Sequence, residues 1–388
     1  MHMNVARWRV GVTAAALLGL IGAACSTANA PTSSTGGNQS CKSASSLQAQ
    51  LVQTWHRDQA ELGVPQMAPP AQQICMVDTS KFKKPGPYHI AFASQGPTNS
   101  WAVEYDAALK HEAQTLGIDV LYASANGDAA TQVQNLQDLL IQKPDALVVT
   151  PMGSAIEGQL HRYAQQGIPV VVCTGQLSDT QDFVTTVNRS YALQGSLWAE
   201  WVAKQIGYKG DVAMLSGIAG VPTAEYEYQA AKQVFARYPN IHIVTHQYDD
   251  WSPTKAKQVA DTLAVNYPHL NAVWTDSGFS AIGVIQAYSA AHLPIPPVTG
   301  DTSNGFLRLA KQYNVTFATS PYPPEQSAKC LDAANQILQG KSVPSYIEYD
   351  APVFTNKDVD KYFRPQCSDS LWIPAQLPDS VLKSLNLC

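Results

Sequence analysis

Residues 88–127 read YHIAFASQGPTNSWAVEYDAALKHEAQTLGIDVLYASANG. A short apolar run over 88–94 gives way to a turn, then to apolar positions at helical spacing over 101–116. Gly117 stands where a left-handed helix cap belongs, and 118–123 is a second apolar run. Short apolar runs alternating with amphipathic stretches are the pattern of a parallel sheet covered by helices.

The same rhythm extends outward. Asp128 is placed to cap a helix reaching about Gln142, which Pro144 stops. A strand over 146–150, a helix closed by Gly167 and a strand over 169–173 follow. After Asn188 the pattern resumes, with helices predicted over 191–206, 223–238, 253–266 and near 281–290. The strands between them fall at 211–216, 241–247, 272–275 and 298–300. A strand at 315–320, a helix at 324–339 and a strand at 346–352 remain. The expected class is α/β, with two doubly wound parallel-sheet lobes. Segments 41–86 and 365–388 are Pro-rich, flanked by cysteines and read as irregular appendages.

The chain has 388 residues, room for two ordinary domains. Hydrophobic residues make up 45% and charged residues 14%, enough for a packed core and against whole-chain disorder. The net charge is −5 and no basic cluster occurs, which argues against a nucleic-acid partner.

Arg7 and Arg9 precede an uncharged apolar run over 10–24 that ends in small residues. This is the layout of an export signal, too short for a lasting membrane span. Gly22-Ala23-Ala24-Cys25 resembles a lipobox, in which Cys25 would become the acylated first residue. Ala28-Asn29-Ala30 is the alternative cleavage site and would give a soluble product. The Ser/Thr/Gly/Asn stretch over 26–40 reads as a tether and favours the lipid anchor. The expected location is extracytoplasmic.

After Cys25 come Cys41, Cys75, Cys173, Cys330, Cys367 and Cys388. An even count in an exported chain suggests disulfides, with fifteen possible pairings. Cys41–Cys75 and Cys367–Cys388 are the simplest. Cys173, in an apolar strand, is either a buried free thiol or a bridge. Neither a CxxC pair nor a Cys/His cluster occurs, so no metal or cofactor is expected.

Several phrases in order carry a family likeness: Ala125-Asn126-Gly127-Asp128, Gly167-Ile168-Pro169-Val170-Val171, Ser216-Gly217-Ile218-Ala219-Gly220, Gly300-Asp301-Thr302 and Leu338-Gln339-Gly340-Lys341-Ser342-Val343-Pro344. The chain from Tyr88 to about Thr355 resembles the ribose-binding-protein family of periplasmic type I solute-binding proteins. The resemblance implies two lobes joined by three crossings, near Asn188-Arg189-Ser190, Ser320-Pro321-Tyr322 and Asp350-Ala351. The chain then divides into a leader (1–25), a tether and extension (26–86), one lobe (87–189 plus 323–350), and a second lobe with tail (190–322 plus 351–388). It also implies a monomer that closes on a small ligand and presents its closed face to the membrane permease of an ABC transporter.

By that likeness, Asn99 and Trp101 stand where the family has an asparagine followed by aromatics, and Trp251 matches its aromatic in the opposite lobe. Two facing rings would sandwich a sugar or polyol. Asp301 corresponds to an acceptor of ligand hydroxyls. Other positions depart from the pattern. Thr174-Gly175 replaces Asp-Arg, Glu225 and Glu227 replace arginines, and Asp276-Ser277 replaces Asn-Asp. Tyr322 replaces a glutamine, and Thr150 an asparagine. With Asp250 beside Trp251, the candidate shell is Asn99, Trp101, Thr150, Thr174, Asp250, Trp251, Asp276, Asp301 and Tyr322. It is acid-rich, with Arg189 the only nearby cation. A neutral pentose, hexose or sugar alcohol is expected first and a cationic or amino-substituted ligand second; anions fit poorly.

Rival classes are less well supported by the sequence. His111-Glu112 begins a zincin-like string, but Thr115 stands in place of the second histidine. GxSxG, Walker and GxGxxG motifs are missing, so no enzyme is expected. A sensory binding protein presenting its ligand to a membrane receptor would have the same sequence features.

Overall fold

The computed structural model describes residues 42–67, 73–177 and 181–388. It opens with β1 (Lys42–Ser43), α1 (Ser45–Leu62) and β2 (Cys75–Val77). The first α/β run is β3 (His89–Ser94), α2 (Ser100–Leu116), β4 (Asp119–Ser124), α3 (Ala129–Ile141), β5 (Ala146–Val149), α4 (Glu157–Gln165), β6 (Val170–Cys173) and β7 (Thr185–Asn188). The second is α5 (Tyr191–Gln205), β8 (Gly210–Ser216), α6 (Pro222–Phe235), β9 (Ile241–Tyr248), α7 (Pro253–Asn266), β10 (Ala272–Thr275), α8 (Gly278–Ala290), β11 (Val298–Gly300), α9 (Asn304–Tyr313) and β12 (Phe317–Thr319). The chain then returns through α10 (Gln326–Leu338), β13 (Val343–Pro344) and β14 (Tyr346–Glu348), and ends with β15 (Phe354–Thr355), α11 (Val359–Tyr362) and α12 (Asp379–Ser384).

Two six-stranded sheets result. The first has the order β14-β7-β6-β5-β3-β4 and is parallel throughout. The second has the order β15-β12-β11-β10-β8-β9 and is parallel except for the edge strand β15. Helices cover both faces of each sheet, so central strands such as β5 and β6 are buried at every residue. The chain passes between the sheets three times: after β7, after β12 and after β14.

Local signals set the helix ends. The Asn99 side chain accepts from the Ala102 amide, and Asp128 accepts from the Thr131 amide. Gly117 closes α2 in the left-handed conformation at φ 65°. Pro222 and Pro253 open α6 and α7, where a missing amide hydrogen costs nothing.

The structure corrects the sequence reading in three places. Strand β7 carries no apolar run, because Val187 alone of Thr185-Thr186-Val187-Asn188 is apolar; pairing between β6 and β14 makes it a strand. Helix α9 was not expected. Segment 41–86 is not irregular: Leu51, Trp55 and Leu62 line one face of α1 and pack with Trp198 and Trp201 of α5. Strand β2 joins β13 in a small antiparallel sheet. Of the two readings open for Cys173, the structure shows the bridge, made to Cys330 of α10. Cys367–Cys388 is paired as expected. Cys75 is disulfide-bonded, while Cys25 and Cys41 lie outside the described residues.

Candidate ligand-binding cleft

A cleft enclosing about 660 Å³, its open mouth included, lies between the two sheets at the carboxyl ends of their strands. Asn99 and Trp101 reach it from beyond β3, Pro151 from beyond β5 and Thr174 from beyond β6. The opposite wall comes from Glu227 on α6, Trp251 after β9, Asp276 after β10 and Asp301 after β11, with Tyr322 from the second crossing.

Trp101 is 9% exposed and stacks on Tyr105 at 4.8 Å and on Tyr322 at 5.7 Å between ring centroids. Its indole N–H donates to the Tyr322 carbonyl at 2.7 Å. Much of the ring is therefore already committed to aromatic neighbours. The Tyr322 hydroxyl donates to Asn188 at 2.9 Å and pairs with the Tyr191 hydroxyl, tying the first and second crossings together. Asn99 spends its oxygen on capping α2, which leaves its amide nitrogen to offer a ligand.

Trp251 owes its place to two features. Asp250 and Trp251 take left-handed backbone angles of 57° and 48°, which turns the indole back over the end of β8. Gly217 leaves room for it, since a Cβ there would lie 1.9 Å from the indole Cε2. The indole N–H then donates to Asp276 Oδ1 at 3.2 Å, and the Trp251 amide to Asp249 Oδ1 at 3.1 Å.

Three carboxyl groups converge among these rings. Asp276 also accepts from the Gly217 amide at 2.9 Å, and Asp301 accepts from the Gly278 amide. Glu227 is 3% exposed and has no hydrogen-bond partner among the described residues. Burial pushes the Asp301 carboxyl up to about 7, although the Gly278 amide pulls the other way. Burial also raises Asp276 and Glu227 well above the carboxylate range, and their neighbours' charges add to the rise. Neither Lys, Arg nor His lines the cleft among the described residues. Arg189 does not reach it, because its guanidinium is engaged by Ser320, Ala351 and Asp58.

Thr150 and Asp250 do not line the cleft. The Thr150 hydroxyl is 2.7 Å from the Tyr105 hydroxyl, so it braces the sheet under Trp101. Asp250 points outward to Lys255 at 2.7 Å and serves the turn that presents Trp251. Thr174 lines the cleft while donating to the Tyr105 hydroxyl at 3.0 Å. Gln194, Thr223, Phe279 and Trp372 also line it, outside the expected shell. Phe279 follows a strand end and was open to the strand-end argument. Trp372 comes from the tail, and no local signal marks it.

Residues 90–342 match the family described as periplasmic binding protein domain. The ribose import binding protein of Bacillus subtilis is 24% identical over 291 residues, covering 73% of this chain and 94% of that protein. The xylitol-binding protein of Mycolicibacterium smegmatis is 23% identical over 265 residues, covering 68% of this chain and 76% of that protein. Among solved structures, the arabinose transporter binding component from Shewanella, bound to L-arabinofuranose, superposes with a TM-score of 0.65 at 25% identity. That match covers 70% of this chain and 93% of the other. A solute-binding protein from Actinobacillus succinogenes with bound D-allose gives 0.65 at 26% identity, covering 71% and 100%. Two parallel-sheet lobes, three crossings and a cleft at the strand ends agree with these matches, and the chain belongs to the periplasmic binding protein family, in its type I, ribose-binding-like branch.

Proposed function

We propose that this chain is an extracytoplasmic solute-binding protein that captures a small neutral sugar or polyol between its lobes and delivers it to an ABC transporter permease. The carrying observation is a buried cleft that combines aromatic faces with three carboxyl acceptors and has no cation among its described lining residues. Hydroxyl donors satisfy buried carboxyl groups without adding charge, and ring faces pack on sugar C–H groups. Relatives named for ribose and xylitol, and neighbours holding arabinofuranose and allose, support this ligand class.

In this reading Asn99, Trp101, Thr174, Trp251, Asp276, Asp301 and Tyr322 contact the ligand, with Glu227 added. The lobes are 87–189 plus 323–350 and 190–322 plus 351–388, and the protein acts as a monomer tethered to the membrane through Cys25. It captures its ligand without chemical change, as a binding protein rather than an enzyme. Glu227 favours a second reading: an unpartnered buried carboxyl group would also suit an amino-substituted sugar.

Thermal unfolding with a panel of pentoses, hexoses, polyols, amino sugars and sugar acids tests both readings. Stabilisation by neutral members supports the first. Stabilisation by amino sugars alone, lost in Glu227→Gln, supports the second. Stabilisation by sugar acids alone overturns both.

A further inference from the structure

The cleft has a wall that neither sheet supplies. The C-terminal segment is pinned to the second lobe at the start of α9. The Asn304 side-chain amide donates to the carbonyls of Arg364 at 2.8 Å and Cys367 at 3.1 Å. The backbone amides of Asn304 and Gly305 donate to the carbonyls of Leu371 at 2.7 Å and Asp369 at 2.9 Å. The Cys367–Cys388 bridge closes the segment covalently on itself.

From this anchorage the chain reaches the other lobe. The Trp372 amide donates to Glu104 Oε1, and its indole N–H to Ser100 Oγ, each at 3.0 Å. Both partners lie on α2. The ring meets Phe279 of α8 edge-on at 5.3 Å, and the next amide, Ile373, returns to the Thr302 carbonyl at 3.0 Å. Further on, the Gln376 amide donates to Glu325, at the end of the second crossing, at 2.7 Å. Trp372 is only 2% exposed, yet it lines the cleft.

In a two-lobed binding protein the closed form is favoured by whatever touches both lobes, and ligand ordinarily supplies that contact. Here a residue of the protein already does so. We propose that the C-terminal segment is a third ligand-binding element. Trp372 contacts the bound ligand, limits the cleft to small ligands, and clasps the lobes together before ligand arrives. This rests on the cleft being the ligand site, as proposed above.

The test compares full-length wild type, Trp372→Ala and Trp372→Phe. Calorimetry with D-ribose, xylitol, D-allose and the disaccharide maltose reads affinity, and small-angle scattering without ligand reads lobe opening. Trp372→Ala should weaken the preferred monosaccharide or polyol by about tenfold or more, the loss of one buried aromatic contact. It should admit maltose where wild type does not, and enlarge the radius of gyration without ligand. Trp372→Phe keeps a ring and should fall between the two. Unchanged affinity and an unchanged radius overturn the proposal. If wild type binds none of these sugars, the function proposed above fails for this panel, and scattering alone decides the clasp: an unchanged radius sinks it. Should Trp372→Ala not fold, Trp372→Phe and Ser100→Ala carry the same comparisons.

Discussion

The guanidinium of Arg189 donates to Asp58 Oδ2 at 2.8 Å, and the same side chain donates to Ser320 Oγ and to the Ala351 carbonyl, each at 3.0 Å. Arg189, Ser320 and Ala351 belong to the first, second and third crossings, so one side chain knots all three. Asp58 arrives from α1, outside both sheets. The N-terminal extension is thus part of the hinge, and Arg57 on the same helix adds a second tie to Asp350 at 2.6 Å.

Because Arg189 and Asp58 are 3% and 1% exposed, removing one partner leaves the other charge buried. Asp58→Ala should cost about 3–5 kcal/mol in urea unfolding. Asp350→Ala should cost less than about 1 kcal/mol, since that side chain is half exposed. Equal effects would show that the buried knot does not carry the hinge.

The Cys173–Cys330 bridge joins β6 to α10 across 157 residues of sequence, and strands β8 to β12 of the second sheet lie inside that loop. It fastens α10, which returns from the second crossing, onto the first sheet. Losing it in Cys173→Ala/Cys330→Ala should lower stability by about 2–4 kcal/mol. Cys367–Cys388 spans only 21 residues, and its loop-entropy contribution should be smaller by roughly 2 kcal/mol. Denaturant midpoints of the two double variants under oxidising conditions check the order.

Gly217→Ala should separate ligand binding from folding. A methyl group there collides with the Trp251 indole and forces it off the end of β8. The expected stability cost is about 1–3 kcal/mol for overpacking, while ligand-induced stabilisation should be largely lost. If the variant binds like wild type, Trp251 does not shape the site.

The sheets were legible because buried parallel strands write themselves as unbroken apolar runs, as in Ala146-Leu147-Val148-Val149. The family likeness pointed to Asn99, Trp251 and Asp301, and to Asp276 as a departure from it, and all four lie beyond strand ends, where ligand sites in open α/β folds gather. A likeness of position cannot tell a side chain facing the cleft from one bracing the sheet, and so it also included Thr150. Helix α1 escaped notice because Asp58 and Gln59 interrupt its apolar face; Asp58 is buried opposite Arg189, and the Gln59 amide donates to the Met67 carbonyl. Trp372 was out of reach for the same reason: its partners Ser100 and Glu104 lie far back along the chain.

Asp301 should make both stability and binding depend on pH. Its carboxyl group is raised from 3.8 to about 7, chiefly by burial, with Glu227 and Asp276 as its acidic neighbours. The folded state therefore holds this proton more tightly than the unfolded chain does. The resulting stability is fully present below about pH 4 and is lost as pH rises through about 7. Asp301→Asn should flatten that part of the curve of unfolding free energy against pH in the absence of ligand. Ligand hydroxyl groups donate to the ionised form and favour it, so sugar affinity should rise as pH passes through about 7 and then level off. Calorimetry in buffers of different ionisation enthalpy should show proton release on binding near that pH. Proton uptake instead would mean that the neutral acid donates to the ligand, which reverses the role assigned to Asp301.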